Sequence, residues 1–596
     1  MSGVCVSGTF FLVVGPSGAG KDTLIDGANA TLAGNQSILF ARRAITRPSG
    51  AGGEDHDAVT EAEFDVRNQA GDFMLDWEAH GLKYGIPATY ADELVAGRHV
   101  IANVSRSVIR EAISCYSQTV VLEVTASPKI LAERLAGRGR ETENEIRARL
   151  NRHAASIPEE AKKTVIFNDG SAEEGIAKFV SALKVEARLS KRLASQKIHG
   201  GTLDYEGYRH VIGDIVSGRF AEQEITDFLI AVTDKLSDDE TVSLARARAD
   251  YATSIDWNAE LVVDKHSMGG IPGSRITMIV VPIIAAYGLT IPKTSSRAIT
   301  SPSGTADAME VLARVDLDTE DVRRVVRETN GCIAWNGRLN HSRVDEVMNA
   351  ITRPLKLDSL RWSVSSILSK KLAAGATHCT IDIPVGPTAK VRKAEDANAL
   401  RALFLHVGEE LGLKLDIRLT DGRAPIGSGI GPALEARDVL SVLRNDADAP
   451  PDLRAKSLEF AASVLSFDPA MPNSQAHLKV CQLLDSGVAY ETLRRMIAAQ
   501  GPPPEEVEVG SHTVTIAATA DGSVDCIDCF ALSSIARAAG APKDKGAGLD
   551  LFARLGDTVI AGQALYRIHA RTAEGVNAAR AKAAEDIAYH ISISSA

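Results

Sequence analysis

The stretch GTFFLVVGPSGAGKD (residues 8–22) decides how the first third of the chain is read. Residues 8–14 are rich in β-formers, and 10–14 (FFLVV) run apolar without a break, the pattern of a buried strand. A glycine-rich loop follows at once, and a helix-competent segment begins at Lys21. In that context G-x-x-x-x-G-K is a mechanism: backbone N–H groups and the helix N-terminus cradle phosphates while the lysine reaches the β and γ oxygens. Gly15, Pro16, Ser17, Gly18, Ala19, Gly20, Lys21, Asp22 and Thr23 are therefore the expected triphosphate-binding set. Asp22 stands where a hydroxyl would meet Mg²⁺, so the metal contact falls to Asp22 itself or to Thr23. Strand-like VIANV (100–104) and TVVLEVT (119–125) alternate with amphipathic segments. That order predicts an α/β unit built on a parallel sheet with flanking helices.

Length sets the wider frame. A chain of 596 residues calls for about four folding units. With 45% hydrophobic and 24% charged residues the composition is that of an ordinary globular protein. The net charge of −11 gives no reason for the whole surface to bind a nucleic acid polymer or an anionic membrane, so phosphate binding must be local. The most apolar stretch, Ile276 to Pro292, holds two prolines and is too short to span a bilayer; it predicts a buried helix and strand. The N-terminus has no basic residue before its apolar run, and the seven cysteines are odd in number and scattered, which together predict a reduced, cytoplasmic protein. Cys526 and Cys529 form a CIDC with no second ligand pair nearby, so no structural metal is expected.

Composition divides the chain further. A Lys/Arg/Ala-rich stretch near Leu189 closes the first domain, giving a P-loop unit over 1–188. Helical spacing with start signals at Thr226-Asp227 and Ser237-Asp238 predicts a helical subdomain over 189–260. An α/β domain is expected over 261–500, and after the prolines at 502–504 a small α+β domain over 501–596.

Beyond the glycine loop, ARRAITRP (41–48), GGEDH (52–56), GDFMLDWEAHGLKYG (71–85) and RLAGRGRE (134–141) resemble the acceptor-binding part of the guanylate kinase family. Leu75 departs from that family's guanine-reading glutamate, and Leu82-Lys83 from its polar-aromatic pair. The combined motifs look more like the ribose 1,5-bisphosphate phosphokinase family, over about residues 8–185. The resemblance implies that ATP with Mg²⁺ phosphorylates the 1-phosphate of ribose 1,5-bisphosphate, with Lys21 catalytic and Arg47 and Tyr84 holding the acceptor. Arg138, in a glycine-flanked RGR, is the best candidate for a lid cation over the transferring phosphates.

A second set of motifs lies downstream. VDKHSMGGIPG (263–273) ends a strand in a glycine turn beside a lysine and a hydroxyl, a natural anion site. KTSSRAITSPSGTAD (293–307) crowds hydroxyl donors around Arg297, and Ser366 and Lys370 stand four apart on one helical face. Asp358 reads equally as a helix N-cap. Together these resemble the thymidine phosphorylase family over about residues 190–585, and SSRAIT (295–300), GIGPALEARDVL (429–440) and FARLGDTV (552–559) resemble its AMP phosphorylase branch. That likeness implies that inorganic phosphate, held by Lys265, Ser267, Ser295 and Thr305, attacks C1′ of a ribosyl unit. Gly270, Ser296, Arg297, Ala298, Ile299, Thr300 and Ser301 would contact the nucleotide, Ser366, Lys370 and Lys390 would flank it, and Asp358 would protonate the leaving base.

The expectation is thus a bifunctional salvage enzyme acting on small nucleotides and sugar phosphates, with a homodimer as its assembly. A nucleoside 5′-monophosphate would yield base and ribose 1,5-bisphosphate, and the kinase would convert the latter to phosphoribosyl pyrophosphate. The alternative is a thymidine-type phosphorylase fused to a nucleotide kinase or to a non-catalytic guanylate kinase-like module.

Overall fold

The computed structural model describes residues 8–48, 56–116, 118–136, 156–298, 301–339, 343–352, 354–355, 357 and 359–592. The chain divides into two compact units, Met1–Gly201 and Thr202–Ala596.

The first unit is organised on five parallel strands in the order Ile38–Phe40, His99–Asn103, Phe10–Val14, Thr119–Thr125, Lys163–Phe167. The central strand FFLVV is buried at every position, which is why it reads as an unbroken apolar run. Its residues still alternate: Phe10, Leu12 and Val14 enter one core cluster, Phe11 and Val13 the other. A mixed sheet of Asp57–Ala58, Ala44–Ile45, Leu82–Pro87 and Phe73–Ala79 stands beside it. The helix Leu189–Ile198 belongs to this unit. Its Arg192 donates to the Gly97 carbonyl at 3.1 Å and its Ser195 accepts from Gln118 at 3.0 Å. The division therefore falls after Gly201 rather than after residue 188, because side chains of that basic helix tie it back to the sheet.

In the second unit Val263–Ser267, His378–Val385 and Lys414–Asp421 form a parallel sheet. A bridge between Val262 and Thr290 joins it to the parallel pair Ile291–Ser295 and Gly331–Trp335. The apolar stretch becomes the helix Thr277–Tyr287, buried from Thr277 through Ala285, and Gly288 ends it at φ 115°. That helix is the axis of the largest core cluster. The helical layer differs from its expected limits. Asp238–Asp250 packs against Tyr205–Val216 but also along Leu360–Ala373, and Glu222–Asp234 packs against Arg343–Thr352. Two helices from deep inside the expected α/β span thus complete it, since burial of an apolar face does not follow chain order.

The C-terminal part pairs His512–Ala517, Ala564–Ala570 and Gly548–Leu551 with Gly429–Ile430, a strand supplied from before the proline run. Among the described residues no helix is long and apolar enough to cross a membrane.

Candidate active sites

The glycine loop joins the end of Phe10–Val14 to the helix Lys21–Leu32. Gly18 and Gly20 adopt φ of 87° and 88°, values that L side chains avoid. A Cβ on Gly20 would stand 2.6 Å from the Asn168 amide nitrogen. That amide donates to the Ala19 carbonyl at 2.8 Å and so braces the loop from the end of the strand Lys163–Phe167. Lys21 folds back over the loop, donating to the carbonyls of Gly15 (2.8 Å) and Pro16 (3.2 Å). Asp22 accepts from Asn103 at 2.9 Å, a partner on the neighbouring strand. Asp22 and Thr23, exposed in the first helical turn, are the side-chain oxygens suited to the Mg²⁺ that accompanies a nucleoside triphosphate.

Arg47 lies two residues beyond the strand Ala44–Ile45, whose Ile45 pairs with Tyr84, so both expected acceptor residues sit on one small sheet. The Tyr84 ring stacks on Trp77 (5.4 Å, 4° between planes) with the Arg43 guanidinium 5.4 Å from its centroid. Arg43 also donates to the Asn103 carbonyl at 2.6 Å, linking this sheet to the partner of Asp22. Arg43 lies inside the ARRAITRP motif, whereas the sequence signal of Asn103 and Asn168 is a polar residue at the end of a strand. Arg134 donates to the carbonyls of Asn168 (2.9 Å) and Gly170 (3.4 Å), placing the start of the arginine-rich segment beside the loop's brace. Arg138 lies outside the described residues, as do Ile299, Thr300 and Asp358.

In the second unit the strand Val263–Ser267 sorts its polar residues by period two. Asp264 and His266 take one side, Lys265 and Ser267 the other. The buried Asp264 carboxylate meets Lys371 at 2.5 Å and Lys293 at 3.3 Å. Burial pushes this carboxyl up, but the two ammonium groups outweigh it and hold the carboxyl below its ordinary value. Burial, then Lys371, Lys293, Lys370 and Lys265, hold the His266 imidazole neutral well below its usual range. Across the strand, Lys265 is 1% exposed, with its ammonium 5.3 Å from the Phe460 ring centroid. Among the described residues no carboxylate comes within ion-pair distance of it, and burial brings its pKa down to about 7. A buried cation without a carboxylate partner among the described residues, in the middle of a parallel strand and two residues before Ser267 at its carboxyl end, is suited to an anion.

Other expected residues lie elsewhere in the same unit. Ser295 ends the strand Ile291–Ser295 and Thr305 opens the helix Thr305–Met309. Gly270, at φ 92°, lies so close to Lys390 that a Cβ would stand 2.7 Å from that residue's backbone nitrogen. Lys370 donates to Ser366 at 3.1 Å and Lys390 to Ser363 at 3.1 Å.

The loop after Ser295 departs from expectation. Arg297 is engaged within the protein: it donates twice to Glu310, at 2.6 Å each, and at 3.4 Å to Asp307, with its guanidinium over Trp335. The Ala298 N–H is likewise spent on Asp307 at 2.6 Å. Both carboxylates sit in the run TADAME just downstream, so the neutralising partners were readable as acids beside a basic loop. Ser296 remains exposed, and Ser301 donates to the Ser303 carbonyl at 3.0 Å.

Comparison with known proteins sharpens both halves. The family described as "Glycosyl transferase family, a/b domain" matches residues 259–490, and "Pyrimidine nucleoside phosphorylase C-terminal domain" matches 523–590. A bifunctional ribose 1,5-bisphosphokinase-thymidine phosphorylase from Cupriavidus pinatubonensis is 53% identical, over 95% of this chain and 95% of its own. The chain belongs to that bifunctional family. Relatives of the same name from Azorhizobium caulinodans (48% identical, 96% of each chain) and Roseobacter denitrificans (41%, 98% of this chain and 100% of that one) match across both units. The family is one of enzymes, so this chain joins a pentosyltransferase to a phosphotransferase. The AMP phosphorylase branch expected from SSRAIT has no counterpart in these names, which specify thymidine phosphorylase.

Proposed function

We propose that the first unit transfers the γ-phosphoryl group of ATP, with Mg²⁺, to ribose 1,5-bisphosphate, and that the second cleaves a thymidine-type nucleoside with inorganic phosphate. The observation that carries the second half is Lys265, a buried ammonium lacking a carboxylate partner among the described residues, on the same side of its strand as Ser267, which ends that strand as Ser295 ends another. Phosphate held there attacks C1′, the bond to the base breaks, and the base leaves with a proton, for which Asp358 is the proposed donor. The neutral His266 takes the other side of the strand and feels the charge of Lys370, which donates to Ser366; these are the groups proposed to meet the base. In the first unit the acceptor is already ionised, so Lys21, Arg47 and the arginine-rich segment act by neutralising charge.

A nucleoside 5′-monophosphate is the second reading. The relatives' named kinase acceptor favours it, since a ribonucleotide, unlike thymidine, would release ribose 1,5-bisphosphate. The engagement of Arg297 by Asp307 and Glu310 disfavours it, because the loop then offers a 5′-phosphate no uncommitted arginine. The test is base release from thymidine, uridine, AMP and CMP with phosphate, for the unaltered protein and Lys265→Ala. Thymidine is expected to have the highest kcat/KM, and Lys265→Ala to lose roughly 10² of it. A preference for AMP or CMP over the nucleosides overturns the thymidine reading, and full phosphorolysis by Lys265→Ala removes the phosphate site from this place.

A further inference from the structure

The buried acid nearest the proposed phosphate site is not among the expected residues. Asp382 lies on the strand His378–Val385, directly paired with Ser267, and is fully buried. It is the one charged residue in the otherwise apolar run CTIDIPV (379–385). Its Oδ2 accepts from the Ser267 hydroxyl at 3.0 Å and its Oδ1 from the Thr420 hydroxyl at 2.6 Å. Lys456 Nζ stands 3.0 Å from Oδ2 and donates to Thr420 at 3.0 Å. Three elements besides its own strand therefore converge on one carboxylate. Phe460, one turn beyond Lys456, carries two ammonium groups near its ring, Lys456 at 5.8 Å and Lys265 at 5.3 Å. Only Lys456 has a carboxylate within ion-pair distance.

That asymmetry has a use. Resting on the phosphorolysis reading above, we infer that Asp382 is a positioning residue of the phosphate site: by engaging Lys456 and the Ser267 hydroxyl it fixes Ser267 and reserves Lys265 as the cation that meets the incoming phosphate. Asp382 need not touch phosphate to do this. The groups that bear on Lys265 are Asp382, which favours its charged form, and Lys456, Lys293 and Arg275, which oppose it. Removing the negative charge must lower the pH at which Lys265 loses its proton, and removing Lys456 must raise it. A residue that only braces the fold predicts no such opposition of sign.

The experiment measures KM for phosphate and KM for nucleoside separately, from pH 5.5 to 9, on the full chain. In Asp382→Asn the phosphate KM should rise roughly fivefold or more at neutral pH, with the nucleoside KM within twofold of the parent, since lowering by one unit a lysine that titrates at about 7 cuts its charged fraction there from about a half to about a tenth. The alkaline fall in kcat/KM for phosphate should move to lower pH. In Lys456→Met the same fall should move to higher pH; ionisation of phosphate itself is common to all the variants and cancels. If Asp382→Asn does not fold, Lys456→Met decides alone, and an unmoved profile overturns the proposal. Equal rises in both KM values, or shifts of the same sign in the two variants, also overturn it. Lys265→Ala separates the two levels: if it retains the parent phosphate KM, the phosphate site itself is misplaced. If it loses saturation while Asp382→Asn does not, only the role of Asp382 falls.

Discussion

The two proposed phosphate sites are built in opposite ways. The glycine loop of the first is built from backbone, with curvature supplied by Gly18 and Gly20 and the lysine folded onto its own loop's carbonyls. The proposed site of the second is built from side chains: the buried Lys265, Lys293 and Lys371 and the partly buried Lys456, set among the described residues against Asp264 and Asp382. A backbone cradle needs small residues at fixed spacing and works beside solvent. A side-chain site needs desolvated charge, which the fold tolerates only where each charge but one is paired. The first kind fails by losing shape, the second by losing charge.

The sharpest way to break this contrast is Lys21→Ala. Withdrawing the cation from the β/γ oxygens should lower ATP-dependent formation of phosphoribosyl pyrophosphate by roughly 10³. Base release with phosphate should stay within twofold, both followed on the same preparation. Loss of both activities in a folded variant would mean that the units do not act independently. Asp358→Asn probes the other side. It preserves shape and any capping oxygen but cannot give a proton, so phosphorolysis should fall by roughly 10² while kinase turnover holds. A capping residue would instead lower the melting temperature and leave turnover near normal. Gly20→Ala sharpens the backbone half: at φ 88°, and with the Asn168 amide 2.6 Å from the new Cβ, it should cost about 1–3 kcal/mol of local strain. The expected readout is a weakened kinase with lower thermal stability of the first unit, and phosphorolysis unchanged.

How far each region could be read in advance follows the same contrast. G-x-x-x-x-G-K is local, and so the loop, its strand and its helix are all visible in fifteen residues. The side-chain site is visible only where a motif marks it. Lys265 and Ser267, the proposed phosphate-site pair, stand in the motif VDKHSMGG, but Thr420 and Lys456 have neighbours that give no hint of a site. Asp382 left a trace as a lone acid in an apolar strand. Arg297, a basic residue among hydroxyls, reads as a ligand, and its pairing with Asp307 and Glu310 emerges only once those carboxylates are placed. The helices Arg343–Thr352 and Leu360–Ala373 escaped assignment to the helical layer because sequence order says nothing of which distant apolar face a helix will cover.

The strand Gly429–Ile430 has a bearing on how such a chain can be assembled in evolution. It hydrogen-bonds to Gly548–Leu551, and Lys545 reaches Glu310 at 2.9 Å, so the sheet after the proline run is partly made from residues before it. Recombination at residues 502–504, where composition marks a hinge, would strip a partner from the Gly429–Ile430 edge and a cation from Glu310. A breakpoint near Gly201 and Thr202 instead falls between two separately compact bodies. Gene fusion has a natural seam there, whereas everything from Thr202 onward is inherited as one piece.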